Sequence, residues 1–569
     1  MARTVGIGLD DFETIITKDI FYIDKTHFIK EWGESEDKVT LITRPRRFGK
    51  TLNMSMLDRF FSNRYDNQEE LFNGLAIWEE EKYRSLAGSY PVISLSFAGV
   101  KETTYEKSVS QILEILKELF RQYSYLITSE KLTAQEKELM QELLELSEPR
   151  IKKSIHDLSE LLYKHFGKKV LIFLDEYDTP MQEAYVSGYW DEFTGFIRSM
   201  FNSTFKTNPY MERAIMTGIT RVSKESIFSD LNNLAVITTT SNRYATAFGF
   251  TEEEVFAAMD EQGIAGSEQE KVKNWYDGFT FGDVTDIYNP WSIINYLKEG
   301  KLAPYWANTS SNSLVGKLVR EGSSGIKMTF ESLMRGETIR VPVDEQIIYN
   351  QLDENESAIW SLLLATGYLK VISYQTGEEY QHSSAKTAMY ELKLTNEEVL
   401  IMFCRMVNDW FGSAGVTYNN FIKALFLDDV DSVNEFLQDT CEIVFSSFDA
   451  GKNPSKKEPE RFYHGLVLGL MVELSPEYVL RSNRESGFGR YDVMLYRRDL
   501  TGNAYIIEFK IRKPKKEKDL EETVANALKQ IEEKKYDTEL KALGFTDDRI
   551  RKYGFAFEGK EVLVGTEEG

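Results

Sequence analysis

Asp492, Glu508 and Lys510 stand out by their spacing: fifteen residues separate the aspartate from the glutamate, and one separates the glutamate from the lysine. They lie in two apolar runs, Arg490-Tyr-Asp-Val-Met-Leu-Tyr496 and Ala504-Tyr-Ile-Ile-Glu-Phe-Lys-Ile511, joined by the turn-rich Arg497-Arg-Asp-Leu-Thr-Gly-Asn503. Such a pattern predicts a β-hairpin. Side chains alternate along a strand, so Glu508 and Lys510 share one face, and Asp492 meets them across the hairpin. Carboxylates and an ammonium among apolar neighbours are costly unless they bind something. A divalent cation held by Asp492 and Glu508 answers that cost. Lys510 would then orient a water or stabilise charge that develops on a phosphate. The bland alternative is a half-exposed strand with a cross-strand ion pair. Apolar residues on both strands favour the site. Glu460 and Glu485 each offer one more acidic group near the metal, and the sequence does not choose between them.

A second group lies near the other end of the chain. Val39 to Ile42 reads as a buried strand, and Gly49-Lys50-Thr51 opens the helix-like run Leu52 to Phe61. Strand, loop and Gly-Lys-Thr at a helix start are the parts of a phosphate-binding loop. Backbone amides and the helix N-terminus face the phosphates, the lysine reaches the terminal ones, and the hydroxyl binds Mg²⁺. The usual first glycine, five residues before Gly49, is here Arg44. The loop Arg44-Pro-Arg46-Arg47-Phe48 is therefore stiff and cationic, and with Gly49, Lys50 and Thr51 these residues are candidate nucleotide contacts. Gly-Lys-Thr alone is a weak signal. Its partner is Val170-Leu-Ile-Phe-Leu174-Asp175-Glu176, an apolar strand that ends in two carboxylates. Open α/β sheets bind ligands at that edge. Asp175 is assigned to Mg²⁺ and Glu176 to orienting the attacking water. Thr217 and Arg221, leaving a further strand tip, are candidate γ-phosphate contacts; the structural alternative makes Thr217 a cap for a following helix.

Several domains are needed to hold both groups in 569 residues. Strand candidates near residues 39–42, 91–97, 170–174, 213–218 and 234–240, with helical crossovers, give an α/β pattern. Residues 105–146 read as a pair of amphipathic helices. Residues 250–390 read as mostly helical, with Trp306, Trp360 and Tyr368 as core anchors, and residues 394–446 as helical again. A helix over Arg461–Met471 would lead into the hairpin, and another over Leu520–Tyr536 would follow it. The expected division is residues 1–245 as a phosphate-loop domain, 246–393 as a helical lid or linker, and 394–569 as the domain of the hairpin with a helical lead-in.

Composition excludes some classes. No apolar run reaches the length of a membrane span, and the N-terminus lacks the apolar core of a secretory signal. Two cysteines support neither a disulfide framework nor a cysteine-built zinc site. A cytoplasmic protein is expected, with no membrane partner, and a homo-oligomer is left open. The net charge of −23 counts against a non-specific nucleic-acid coat, yet residues 455–518 carry more Lys and Arg than Asp and Glu. That asymmetry fits a local meeting with an anion, and equally a solvated face.

Read as a whole, the chain resembles the bacterial AAA-ATPase-like proteins that end in a PD-(D/E)xK nuclease-superfamily domain. The resemblance rests on Tyr22-Ile-Asp-Lys-Thr26, Arg44-Pro-Arg-Arg-Phe-Gly-Lys-Thr51, Leu174-Asp-Glu-Tyr-Asp178, Thr217-Gly-Ile-Thr-Arg221, Ser226-Ile-Phe-Ser-Asp-Leu-Asn-Asn233, Phe248-Gly-Phe-Thr-Glu-Glu-Glu254, Tyr288-Asn-Pro-Trp-Ser292, and Asp492 with Glu508-Phe-Lys510. It implies an N-terminal P-loop NTPase parallel sheet with helices, a helical lid region, and a C-terminal α/β restriction-endonuclease-like domain. It further implies ATP, Mg²⁺ (or Mn²⁺ at the C-terminal site) and nucleic acid, DNA first, as ligands. Arg-Pro-Arg-Arg-Phe-Gly-Lys is the family's own form of the loop. Gln530 and Tyr536 are similar to the glutamine and tyrosine that trail the core in helicase-linked members of the nuclease superfamily. Two functions are compatible: a nucleotide-controlled, metal-dependent nuclease, or a signalling or scaffold ATPase whose nuclease-like domain binds without cutting.

Overall fold

The computed structural model describes residues 2–221, 228, 231–307, 313–344, 352, 356–375, 388–410, 415–448, 469, 474, 477–486, 489–558 and 561–567. The chain forms two units. One comprises residues 1–314 and 336–400, the other residues 315–335 and 401–569.

The first unit is built on five parallel strands: β1 (Val39–Thr43), β2 (Val92–Ser96), β3 (Val170–Asp175), β4 (Met211–Gly218) and β5 (Leu234–Ile237). Their order in the sheet is β2-β3-β4-β1-β5. Every residue of β1 and β3 is buried, as continuous Val/Ile/Leu runs require in a parallel sheet covered on both faces. Helix α1 (Lys50–Phe61) follows β1, and α2 (Thr179–Ser187) follows β3. The expected amphipathic pair forms as Tyr105–Arg121 and Ala134–Leu144, with Ile112, Leu116 and Leu119 buried. Four strand tips lie at one edge: Thr43 pairs with Gly218, and Ser96 with Asp175.

The stretch expected to be mostly helical carries two small sheets as well. One joins β6 (Phe250–Thr251), β7 (Phe279–Phe281) and β8 (Val284–Tyr288); the other joins β9 (Ile339–Pro342), β10 (Leu369–Gln375) and β11 (Met389–Leu394). Their strands are short, and the register shift between Val371 and Ser373 breaks the alternation of Leu369-Lys-Val-Ile-Ser-Tyr, so helix-start signals around it dominate the sequence pattern. Most of residues 246–393 is part of the first unit, while 315–335 is part of the second. The physical reason is visible at β7. Phe48 of the phosphate loop is buried against Phe279 and Phe281, with ring centroids 4.8 and 5.4 Å away. Loop and small sheet share one core.

The second unit holds a five-stranded mixed sheet, β12 (Tyr478–Ser486), β13 (Gly489–Arg497), β14 (Ala504–Ile511), β15 (Ile550–Glu558) and β16 (Glu561–Thr566), in sequential order. Only β14 and β15 run parallel, and α3 (Leu520–Lys534) lies on the connection between them. Gly554 on β15 lets α3 approach: a Cβ there would sit 2.9 Å from the Val524 carbonyl. The expected hairpin is β13–β14. Apart from residue 469, the expected helix at 461–471 lies outside the described residues, as does Glu460. The backbone of Glu485 pairs with Arg490, while its side chain is also outside them.

Candidate functional site

In the first unit, the edge of the sheet gathers the loop after β1, the acidic end of β3 and the tip of β4. Arg47 and Gly49 both take left-handed backbone, with φ of 66° and 78°. Gly49 occupies the N-cap of α1 with no side chain covering the helix's first amides. Those amides carry the partial positive charge that suits a phosphate. Lys50 is buried, and its Nζ donates to the Arg44 and Pro45 carbonyls at 3.0 and 2.9 Å. Burial pulls its pKa down, while Glu176, Asp175 and Asp178 pull the other way. An anion entering the loop would replace those two carbonyls as the lysine's partners.

Asp175 and Thr51 meet: the Thr51 hydroxyl donates to Asp175 Oδ2 at 2.7 Å, and the Thr217 hydroxyl donates to Asp175 Oδ1. Burial raises the Asp175 carboxyl above its ordinary range against these two hydrogen bonds. A hydroxyl beside a buried carboxylate is the hard-oxygen pair that suits Mg²⁺. Glu176 sits beside them with φ of 50°, its amide 3.4 Å from the Thr217 hydroxyl, its Oε2 accepting from the Thr179 hydroxyl at 3.0 Å. Lys50, Thr51, Asp175, Glu176 and Thr217 are therefore brought together.

One expected contact turns its side chain elsewhere. The Arg44 guanidinium is wholly buried, donates to the carbonyls of Thr43, Thr238, Arg243 and Tyr244, and lies 4.4 Å from the Phe281 ring centre. Burial lowers its pKa to about 9. It ties the loop to the residues after β5, and only its carbonyl faces Lys50. Arg221 lines a small cleft with Thr43, Thr238 and Ser361.

Sequence reasoning passed over Asp178. It is buried and accepts from the Ile219 and Thr220 amides at 3.0 and 2.8 Å, which fixes the chain just after the β4 tip. Gly218 is needed there, because a Cβ would lie 2.6 Å from Asp178 Oδ1. It also passed over a clamp on the loop: Asn289 Nδ2 and Trp306 Nε1 donate to the Arg46 carbonyl at 3.3 and 3.0 Å. Trp306 is held in turn by the fully buried Glu398, which accepts from its amide at 2.5 Å and from the Ser292 hydroxyl at 2.8 Å. Only the turn signal at Tyr288-Asn-Pro-Trp hinted at any of this.

The hairpin in the second unit builds the other group. The β13–β14 ladder runs from Tyr496 and Ala504 to Val493 and Ile507. At the next position Asp492 Oδ2 takes the Phe509 amide at 2.8 Å, so the carboxylate sits on the main chain beside Glu508. Glu508 is 3% exposed. Its Oε1 accepts from Gln530 Nε2, and its Oε2 is buried without a hydrogen-bond partner among the described residues. Burial first, and then the charge of Asp492, push its pKa up to about 8, with Lys510 opposing. Gln530 on α3 also accepts from Lys510 Nζ at 2.6 Å and donates to the Tyr536 hydroxyl at 3.0 Å. One amide thus orients glutamate, lysine and tyrosine together. An orphaned carboxylate oxygen next to a second carboxylate fits a divalent cation; among the described residues no third metal-ligating side chain joins them.

The parallel strand order, the loop after β1 and the acidic tip of β3 give the first unit a P-loop-type α/β arrangement, and the hairpin with its trailing helix gives the second a nuclease-superfamily-like one. Residues 6–228 match the family model of predicted AAA-ATPases (AAA-ATPase-like), and residues 458–567 match that of the PD-(D/E)XK nuclease superfamily. The chain is also 24% identical over 556 residues to the uncharacterized protein in the vnfD 5′ region of Azotobacter chroococcum mcd 1, covering 95% of this chain and 94% of that one. The chain therefore carries an AAA-ATPase-like domain and a PD-(D/E)XK nuclease-superfamily domain. Among the described residues, no helix is long and apolar enough to cross a membrane.

Proposed function

We propose that the protein binds and hydrolyses ATP in its first unit and cleaves nucleic-acid phosphodiester bonds, DNA first, in its second. The observation that carries the reading is Glu508: a buried carboxylate with one oxygen unpartnered among the described residues, beside Asp492, and tied through Gln530 to Lys510. A cation bound there would supply Lewis-acid activation of water and of the phosphate. Asp492 and Glu508 would hold it. Lys510, oriented by Gln530, would donate to the non-bridging oxygen on which charge develops.

At the nucleotide site Lys50 would leave the Arg44 and Pro45 carbonyls for the phosphates, and Thr51 with Asp175 would hold Mg²⁺, which neutralises phosphate charge when bound. Glu176 would accept a hydrogen bond from the attacking water. The test is incubation of supercoiled plasmid and of single-stranded DNA and RNA with wild type, in Mg²⁺ or Mn²⁺, with and without ATP. Metal-dependent cutting supports the reading. Tight binding of the same substrates without cutting would replace it with a nucleotide-dependent scaffold.

A further inference from the structure

The phosphate loop carries three arginines, and their side chains do three different things. Arg44 is buried on carbonyls. Arg47 is exposed, with its guanidinium 4.4 Å from the Trp291 ring centre. Arg46 is half-buried, its Nη2 3.4 Å from Gln182 Oε1 on α2. That helix begins three residues after Glu176. Arg46 lies close enough to Lys50 to push the lysine's pKa down. Among the described residues it forms no ion pair, although carboxylates lie on the neighbouring strand tip; its one side-chain partner there is a neutral amide at long range.

Its main chain is the reverse of free. The Arg46 carbonyl is held by Asn289 and Trp306, and Trp306 by Glu398. A side chain with a fixed base, a loosely held head and a place near the phosphate lysine is preorganised for a ligand that carries negative charge. The planar fork of arginine matches the paired oxygens of a phosphoryl group better than an ammonium does.

We propose that Arg46 is a catalytic residue for ATP hydrolysis, acting within its own chain on the γ-phosphoryl group. This rests on the reading of the first unit as an ATPase. In the step concerned, water oxygen bonds to the γ-phosphorus as the bond to the β,γ-bridging oxygen breaks. The electron pair leaves on ADP, and the two protons of the water leave with inorganic phosphate as H₂PO₄⁻, from which one passes to solvent near neutral pH. Arg46 stays protonated and donates hydrogen bonds to oxygens whose charge grows. Arginines of this kind are supplied either by the same chain or by a partner.

The test is steady-state hydrolysis with ATP binding measured by calorimetry. Arg46→Ala should lower kcat by about 10²–10³-fold while ATP affinity shifts by less than about threefold. Arg46→Lys should not recover the rate, and added guanidinium ion should recover part of it in the alanine variant. Mixing Arg46→Ala with Lys50→Ala chains should stay inactive. Turnover by Arg46→Ala within about threefold of wild type overturns the proposal. Activity regained on mixing overturns its same-chain form. Absence of hydrolysis by a wild type that binds ATP overturns the ATPase reading itself, and the proposal with it. Thermal melting and retained ATP binding serve as folding controls.

Discussion

The two sites handle buried charge in opposite ways. At the β1 loop the lysine and the acidic strand tip already have partners: Lys50 rests on two carbonyls, and Asp175 is shared by two threonines. On the hairpin, Glu508 keeps one buried oxygen without any among the described residues. The first arrangement is self-contained, so a nucleotide has to exchange partners with the loop. The second carries an electrostatic cost in the folded chain that only a cation, or a proton, relieves. Removing a charge should therefore hurt ligand binding at the first site and relieve strain at the second.

That contrast breaks most readily at the hairpin. Lys510→Ala should reduce cleavage by about 10²–10³-fold, the scale for one preorganised donor. Gel-based cleavage rates check it, and a rate within a few-fold of wild type would return Lys510 to a structural ion pair. Asp492→Asn keeps an oxygen for the Phe509 amide, so cleavage should vanish while the melting temperature without metal holds or rises.

At the loop, Glu176→Gln should slow ATP turnover by about 10²-fold with affinity intact, because the hydrogen bond from Thr179 survives while the basic oxygen is lost. Lys50→Ala should weaken ATP by at least about tenfold, about 1.4 kcal/mol. Calorimetry showing equal affinity would mean that the lysine stays on its carbonyls when nucleotide is present.

The smallest effect sharpens the comparison from a residue that serves neither ligand directly. Burial raises the Glu398 carboxyl to about 7 from an ordinary value of 4.5. The unfolded chain then loses this proton first as pH rises. The neutral form's contribution is complete below about pH 4.5, is lost between there and about 7, and changes no further above; the span corresponds to about 3 kcal/mol. Glu398→Gln should flatten the pH dependence of denaturant melts across that window. An unchanged slope would show that the carboxyl is ionised in the folded protein throughout.

Much of this was legible from local spacing. Gly49-Lys50-Thr51, Leu174-Asp175-Glu176 and the Asp492–Glu508–Lys510 hairpin are short patterns whose geometry follows from strand alternation and helix starts. All five strands of the parallel sheet were readable because each is a bounded apolar run. Gln530 and Tyr536 were noticed by likeness, but the grip of Gln530 on Glu508, Lys510 and Tyr536 needed α3 laid against β15. Glu398 was invisible: one of three carboxylates in the helix Glu397–Trp410, reaching a tryptophan amide 92 positions earlier in the chain. Arg44 was misleading for the same reason, since it reads as a loop cation and becomes a buried brace only once the residues after β5 close over it. The small sheets were lost where short strands sit among strong helix-start signals.

Cation binding tests the central claim most directly, because it does not depend on finding the right substrate. Mn²⁺ is titrated into nucleotide-free wild type and Glu508→Gln, followed by calorimetry and by electron paramagnetic resonance, with melting curves taken before metal is added. Wild type should show a site that raises its melting temperature, and Glu508→Gln should lack that site while remaining folded. Equal Mn²⁺ binding by both chains, or none by wild type, would contradict the account.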